Sequence, residues 1–133
     1  MRAILIKDKT TLDNILGGKK TWEIRGSATK IQERIGLIQS GSRRIVGICD
    51  LVGCEGPLTM AAMIANVRKH RPREKTWRKG GLPYPKTYAW VLKSARRLAK
   101  PIPYKHPAGA IIWVKLDGTA AGKCLARELG KRR

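Results

Sequence analysis

The apolar residues of this chain come in short runs, and that limits the folds open to it. Residues 3–6, 35–38, 44–52, 88–92 and 109–114 are stretches of strand length. Charge, glycine or the turn Ser40-Gly41-Ser42 bounds them. A sixth strand is expected at 21–25, where Trp22 and Ile24 point toward a core and Thr21, Glu23 and Arg25 away from it. Helical spacing occurs in few places. Leu12, Ile15 and Leu16 follow a capping Thr10 or Thr11 and stop at Gly17-Gly18. Met60, Met63, Ile64 and Val67 follow Pro57-Leu58-Thr59. A last helix is expected at 120–129. Gly47, inside a strand, marks a bulge or a close approach. Residues 95–98 read as a basic amphipathic segment, 101–104 as an extended connector, and 69–87 as a long loop. Strands and helices do not alternate as βαβ units. The expected fold class is therefore α+β: a small mixed or antiparallel barrel of about six strands flanked by two or three helices. At 133 residues the chain suits one domain, 1–133, with a basic helix and tail from about 118, ending in Lys131-Arg132-Arg133.

Charge narrows the partner. Lysine and arginine total 29 against 9 acids, a net +20. Such an excess costs self-repulsion, so the expected partner is a polyanion: RNA or another nucleic acid. A membrane is not expected. No apolar run approaches the ~20 residues a span requires, and residues 1–8 are too short and too soon charged for a signal peptide. With 42% hydrophobic residues the charge does not imply disorder. Cys49, Cys54 and Cys124 form no CxxC pair, and His70 and His106 are far apart. The thiols read as reduced, the location as cytoplasmic, and neither a metal nor another cofactor is expected.

Within this frame one stretch gathers chemistry. Gly18-Lys19-Lys20-Thr21-Trp22-Glu23-Ile24-Arg25 places an ammonium, a carboxylate and a guanidinium within six residues, beside glycines that leave backbone open to approach. Lys20 is a phosphate or base contact, or a nucleophile if its pKa is lowered. Glu23 is a proton acceptor or a partner for a base amino group. Arg25 is a fork for phosphate or a plane for stacking. Lys30 lies in a basic loop expected to fold over the site, and Ser40 ends a strand near it. Between 69 and 86, Arg73 and Arg78 interleave with Trp77 and Tyr84, which suits single-stranded RNA held by cations and stacked on rings.

The spacing Gly18-x-Lys20-x-x-Glu23-x-Arg25 resembles the GxKxxExR signature of the ASCH domain, a branch of the PUA-like superfamily. The likeness extends over about residues 3–115. A helix ending in glycine precedes the motif, a strand with a Ser-Gly turn follows it, and Tyr88-Ala89-Trp90 precedes the prolines 101 and 103. The resemblance implies a small β-barrel with helices at its ends and a nucleic-acid-binding cleft beside the motif. Some relatives are described as ribonucleases. One branch hydrolyses N4-acetylcytidine with a lysine, a threonine and a glutamate. Lys20 matches that lysine, and Glu23 stands where that branch has threonine. The expected function is RNA binding, with a nucleotide seated beside the motif. Two alternatives stand: a hydrolase of RNA or of a modified nucleoside using Lys20 and Glu23, and a ribosome- or chromatin-associated protein with an unused cleft.

Overall fold

The computed structural model describes residues 1–130, so the terminal Lys131-Arg132-Arg133 lie outside the described residues. In chain order the elements are β1 (Arg2–Ile6), α1 (Lys9–Leu16), β2 (Trp22–Arg25), β3 (Glu33–Gln39) and β4 (Arg44–Glu55). There follow α2 (Met60–Ala65), α3 (Val67–His70), a 3-10 turn (Trp77–Gly80), β5 (Tyr88–Pro103), β6 (Trp113–Lys115) and α4 (Ala120–Gly130). The six strands form one sheet in the order β2-β5-β4-β3-β1-β6. Among the described residues only β1 and β3 pair in parallel. Three strands separate β2 from β1, yet the Arg25 guanidinium on β2 donates to Leu5 O on β1 at 3.2 Å. The sheet is thus curled into a half-barrel, and its first strand's end faces its far edge.

The continuous apolar run of β1 now has its cause. Ala3 and Leu5 enter one buried cluster, with Ile45, Ile102 and Leu125 of α4. Ile4 and Ile6 enter another, with Leu12 and Ile15 of α1, Leu51 and Trp90. A strand covered on both faces shows no alternation. Helix α1 is capped by Asp8 rather than by a threonine, its carboxylate accepting the Thr11 N–H at 2.8 Å. A carboxylate three residues ahead takes that free donor directly. Gly17 closes the helix and Gly18, at φ +76, makes the left-handed turn into the motif.

Gly47 lies where β4 shifts register against β5. A Cβ there would stand 2.2 Å from Leu16 Cδ2 and 2.8 Å from the Arg96 carbonyl. Gly47→Ala is therefore expected to push α1 off the sheet and cost about 1–3 kcal/mol. The urea midpoint measures this, and an unchanged midpoint contradicts the close approach.

Three segments differ from the sequence reading. The strand expected at 109–114 is confined to the three residues of β6, with 109 in a turn and 111–112 in a bend ahead of it. Residues 88–103 form one strand of 16 residues, not a strand, an amphipathic segment and a connector. The 12-residue β4 supplies partners along its length, and the kink at Ser94 (φ 54) with its register shifts absorbs the irregular pattern. The helix beginning at Met60 divides at Asn66, whose side chain donates back to Ala62 O at 2.8 Å; the described residues thus hold four α-helices, and α3 ends at Arg71 in the left-handed region. No helix among the described residues is long and apolar enough to cross a membrane.

Candidate functional site

The site begins at the end of α1. The Lys19 and Lys20 N–H groups both donate to Asn14 O, and the Thr21 N–H donates to Lys69 O. These bonds tie the motif to the helix before it and to a segment almost fifty residues later. Lys20 is pulled inward and retains 6% exposure. Its Nζ donates to the His70 carbonyl and lies 3.8 Å from Glu23 Oε1. Glu23, also buried, accepts on its other oxygen from Arg25 Nη2 at 2.9 Å and Arg25 Nε at 3.2 Å. The carboxylate therefore sits between an ammonium and a guanidinium.

Arg25 is positioned by more than its acid. Its guanidinium lies over the Trp90 ring at 5.5 Å. Trp90 is stacked on Trp113 with centroids 5.6 Å apart and planes 13° from parallel, and Arg2 lies over Trp113. Trp90 Nε1–H donates to Ser27 O at 2.9 Å, which pins the loop after the motif. This Arg–Trp–Trp–Arg pile holds the edge that carries Glu23.

Burial holds the Lys20 ammonium below its ordinary pKa of 10.5; Glu23 opposes the shift and Arg25 adds to it. His70 is likewise lowered, first by burial, with its hydrogen bond to Met63 opposing and Lys20 adding. The His70 ring is buried. Its Nε2 lies 2.8 Å from Met63 O, so that nitrogen carries the proton. The ring edge meets Trp77 at 5.0 Å.

A cleft of about 350 Å³ opens over Lys20 and Glu23, with Ile24, Met63, Trp77 and Tyr84 among its walls. Ile24, expected in the core, is half-buried and faces this space. Arg73 stands at the rim, paired with Asp8 at 3.2 Å. Arg78 lies over Trp77 at 5.6 Å. Tyr84 packs so tightly on Gly26 that a Cβ there would meet its Cδ1 at 2.7 Å. Of the residues singled out in the sequence, the structure gathers Lys20, Glu23, Arg73, Trp77 and Tyr84 around one hollow; Arg25 stands behind Glu23 and lines a neighbouring hollow, and Arg78 reaches the site only by lying over Trp77. Lys30 is exposed in the loop before β3, and Ser40 begins the β3–β4 turn; neither lines the cleft. The turn serine is Ser42, whose hydroxyl donates to Gln39 O and accepts from the Arg44 N–H.

Sequence reasoning missed Thr11 and His70, both cleft residues. Thr11 carried only a capping signal. His70 was weighed as a metal ligand, whereas its carbonyl anchors Lys20. Among the described residues no three His, Cys, Asp or Glu side chains are placed to hold a metal ion.

A curled six-strand half-barrel with four helices and a cleft beside the Gly18–Arg25 stretch is consistent with an α+β barrel of the PUA-like kind. Residues 8–102 match the model of the ASCH domain, and the chain belongs to that family. Among solved structures it resembles the ASCH protein of Zymomonas mobilis, at 16% identity and TM-score 0.68 over 98% of this chain and 94% of that one. Two point mutants of the same protein match at 17% identity and TM-score 0.68, covering 94% and 95% of this chain and 96% and 94% of theirs. At these identities the likeness concerns the fold. Comparison with curated proteins returns no match.

Proposed function

We propose that this protein binds RNA and seats one nucleotide in the cleft over Lys20 and Glu23. The observation that carries the reading is a buried ammonium–carboxylate pair on the floor of a 350 Å³ hollow walled by Trp77 and Tyr84. A hollow of this size suits a base with its ribose. Glu23 accepts from an exocyclic amino group, the rings offer stacking faces, and the rim meets phosphate. The segment bordering the cleft is unusually cationic: residues 68–86 hold eight lysines and arginines against one acid, Glu74, and Arg71 and Arg73 of it line the hollow. Elsewhere most acids are engaged within the protein: Asp13 with Lys9 and Arg97, Glu33 with Arg2, Asp50 with Arg34, and Asp117 with the N-terminus. Acids so engaged do little to offset the cationic rim.

Lys20→Ala leaves Glu23 its Arg25 partner, so the fold survives. RNA affinity is expected to fall ~10-fold or more, the scale of a hydrogen bond to a charged group. In the native protein affinity falls steeply between ~50 and ~200 mM salt as counterions are released. Fluorescence anisotropy measures both, and salt-independent binding overturns the phosphate-based account.

One observation favours a second reading, hydrolysis. Burial shifts Lys20 toward the neutral amine that can accept a proton or attack, and a carboxylate stands beside it. Incubation with labelled RNA and with acetylated cytidine decides it: product above the Lys20→Ala control supports hydrolysis, and none removes it.

A further inference from the structure

The cleft is not isolated. A second hollow of about 270 Å³ adjoins it and shares Thr11, Glu23, Ile24 and Tyr84. A third, of about 480 Å³, adjoins it on another side and shares Arg71, Pro72, Arg73 and Trp77. Each junction thus contains an aromatic ring: Tyr84 on one side, Trp77 on the other.

We propose that the three hollows form one track that threads single-stranded RNA, one nucleotide to each hollow, with Trp77 and Tyr84 as dividers between successive bases. The proposal rests on the cleft reading above and extends it from a nucleotide to a strand of defined length. Three features of the outer hollows point to a polymer. Ile111, 73% exposed, lines the 270 Å³ hollow. It is the most exposed of the large apolar side chains and sits where a base face would cover it. The acids there are already paired, Glu23 with Arg25 and Asp8 with Arg73, which leaves Lys7 as added positive charge beside it. In the 480 Å³ hollow, Arg68, Arg71 and Lys75 accompany the lone acid Glu74, itself 3.7 Å from Arg73. Cations at both ends and rings between them are the arrangement that holds a strand's backbone while its bases stack. A duplex keeps its bases paired and cannot place a base in each hollow.

The test uses the full chain and oligoadenylates of one to six nucleotides, titrated at one fixed salt concentration. Affinity is expected to rise about 10-fold with each nucleotide up to three, a stacking-sized step, and to change little beyond. Ile111→Ser is expected to remove one step, and Lys75→Ala to reduce the other. Circular dichroism checks that these surface variants fold. If one nucleotide binds as tightly as three, still in a Lys20-dependent way, the track is wrong while the cleft reading stands. If no oligomer binds better than to the Lys20→Ala control, the cleft reading falls and the track with it. Equal competition by an RNA duplex also overturns the single-strand assignment.

Discussion

Glu23→Ala is expected to destabilise the protein by about 3 kcal/mol at neutral pH, more than Lys20→Ala does, although both remove one member of the same pair. Breaking a buried ion pair from one side typically costs about 3–5 kcal/mol, because the remaining charge stays buried without a partner. The lower end applies, since the Glu23 side chain keeps 11% exposure and that of Arg25 18%. The asymmetry comes from the geometry. Glu23 serves two cations, Lys20 and Arg25. Without it, Lys20 keeps only the His70 carbonyl among these contacts, and Arg25 keeps Leu5 O and the Trp90 ring. Without Lys20, by contrast, Glu23 still accepts twice from Arg25.

The deficit has a pH signature. Glu23 is the contact that raises the Lys20 pKa against burial, so its loss lowers the folded-state value further below 10.5. Between that lowered value and 10.5 the unfolded chain binds more protons than the folded one, and stability therefore rises with pH. The Glu23→Ala deficit should shrink from pH 7 toward pH 10. Adding Lys20→Ala in that background should restore part of the loss, a non-additivity expected of contacting residues. Urea denaturation of the four proteins at two pH values measures all of this. Equal losses for the two single variants, independent of pH, contradict the shared-carboxylate geometry.

What the sequence disclosed was local. The glycine stop of α1, the period-two reading of residues 22–25, the close approach at Gly47 and the Ser40-Gly41-Ser42 turn each depend on neighbours a few residues away. The charge excess and the cations interleaved with Trp77 and Tyr84 were also visible, because composition needs no folding. What was hidden depends on distant partners. Nothing near Lys20 announces that its ammonium meets the carbonyl of residue 70. Nothing near Glu23 announces that a strand expected to be half-solvated is covered by the segment 70–84. The continuity of β5 was missed for the same reason: Lys93, Arg96, Arg97 and Lys100 look unlike a strand until β4 is seen to pair along it. Lys30 was expected in a loop folding over the site, and Ser40 at the end of a strand beside it. The curl of the sheet, which decides what lies near the motif in space, leaves them outside the cleft.

The other large effect is expected at Trp90, and it separates what holds the site from what the site holds. Trp90→Ala should cost about 3–5 kcal/mol, the usual range for truncating a buried tryptophan. Trp90 keeps 2% exposure, so nearly the whole ring leaves a cavity. The Nε1–H bond to Ser27 O and the stack on Trp113 go with it, each worth about 0.5–1.5 kcal/mol. Trp113, half-buried at the other end of the pile, should cost less when truncated. Trp77, on the cleft wall and touching His70 by its edge, should cost least. For binding, Trp77→Ala should cost the most and Trp113→Ala the least. Trp77→Ala removes a face on which a base stacks, at about 1–3 kcal/mol. Trp113→Ala acts only through Trp90 and Arg25. Trp90→Phe keeps a ring under the Arg25 guanidinium and should retain most of the binding while losing the hydrogen bond to the loop. Urea midpoints and RNA titrations on the same four variants give the two rankings independently. If Trp77→Ala proves the most destabilising and leaves RNA affinity intact, that ring belongs to the core, and the wall of the cleft is misassigned.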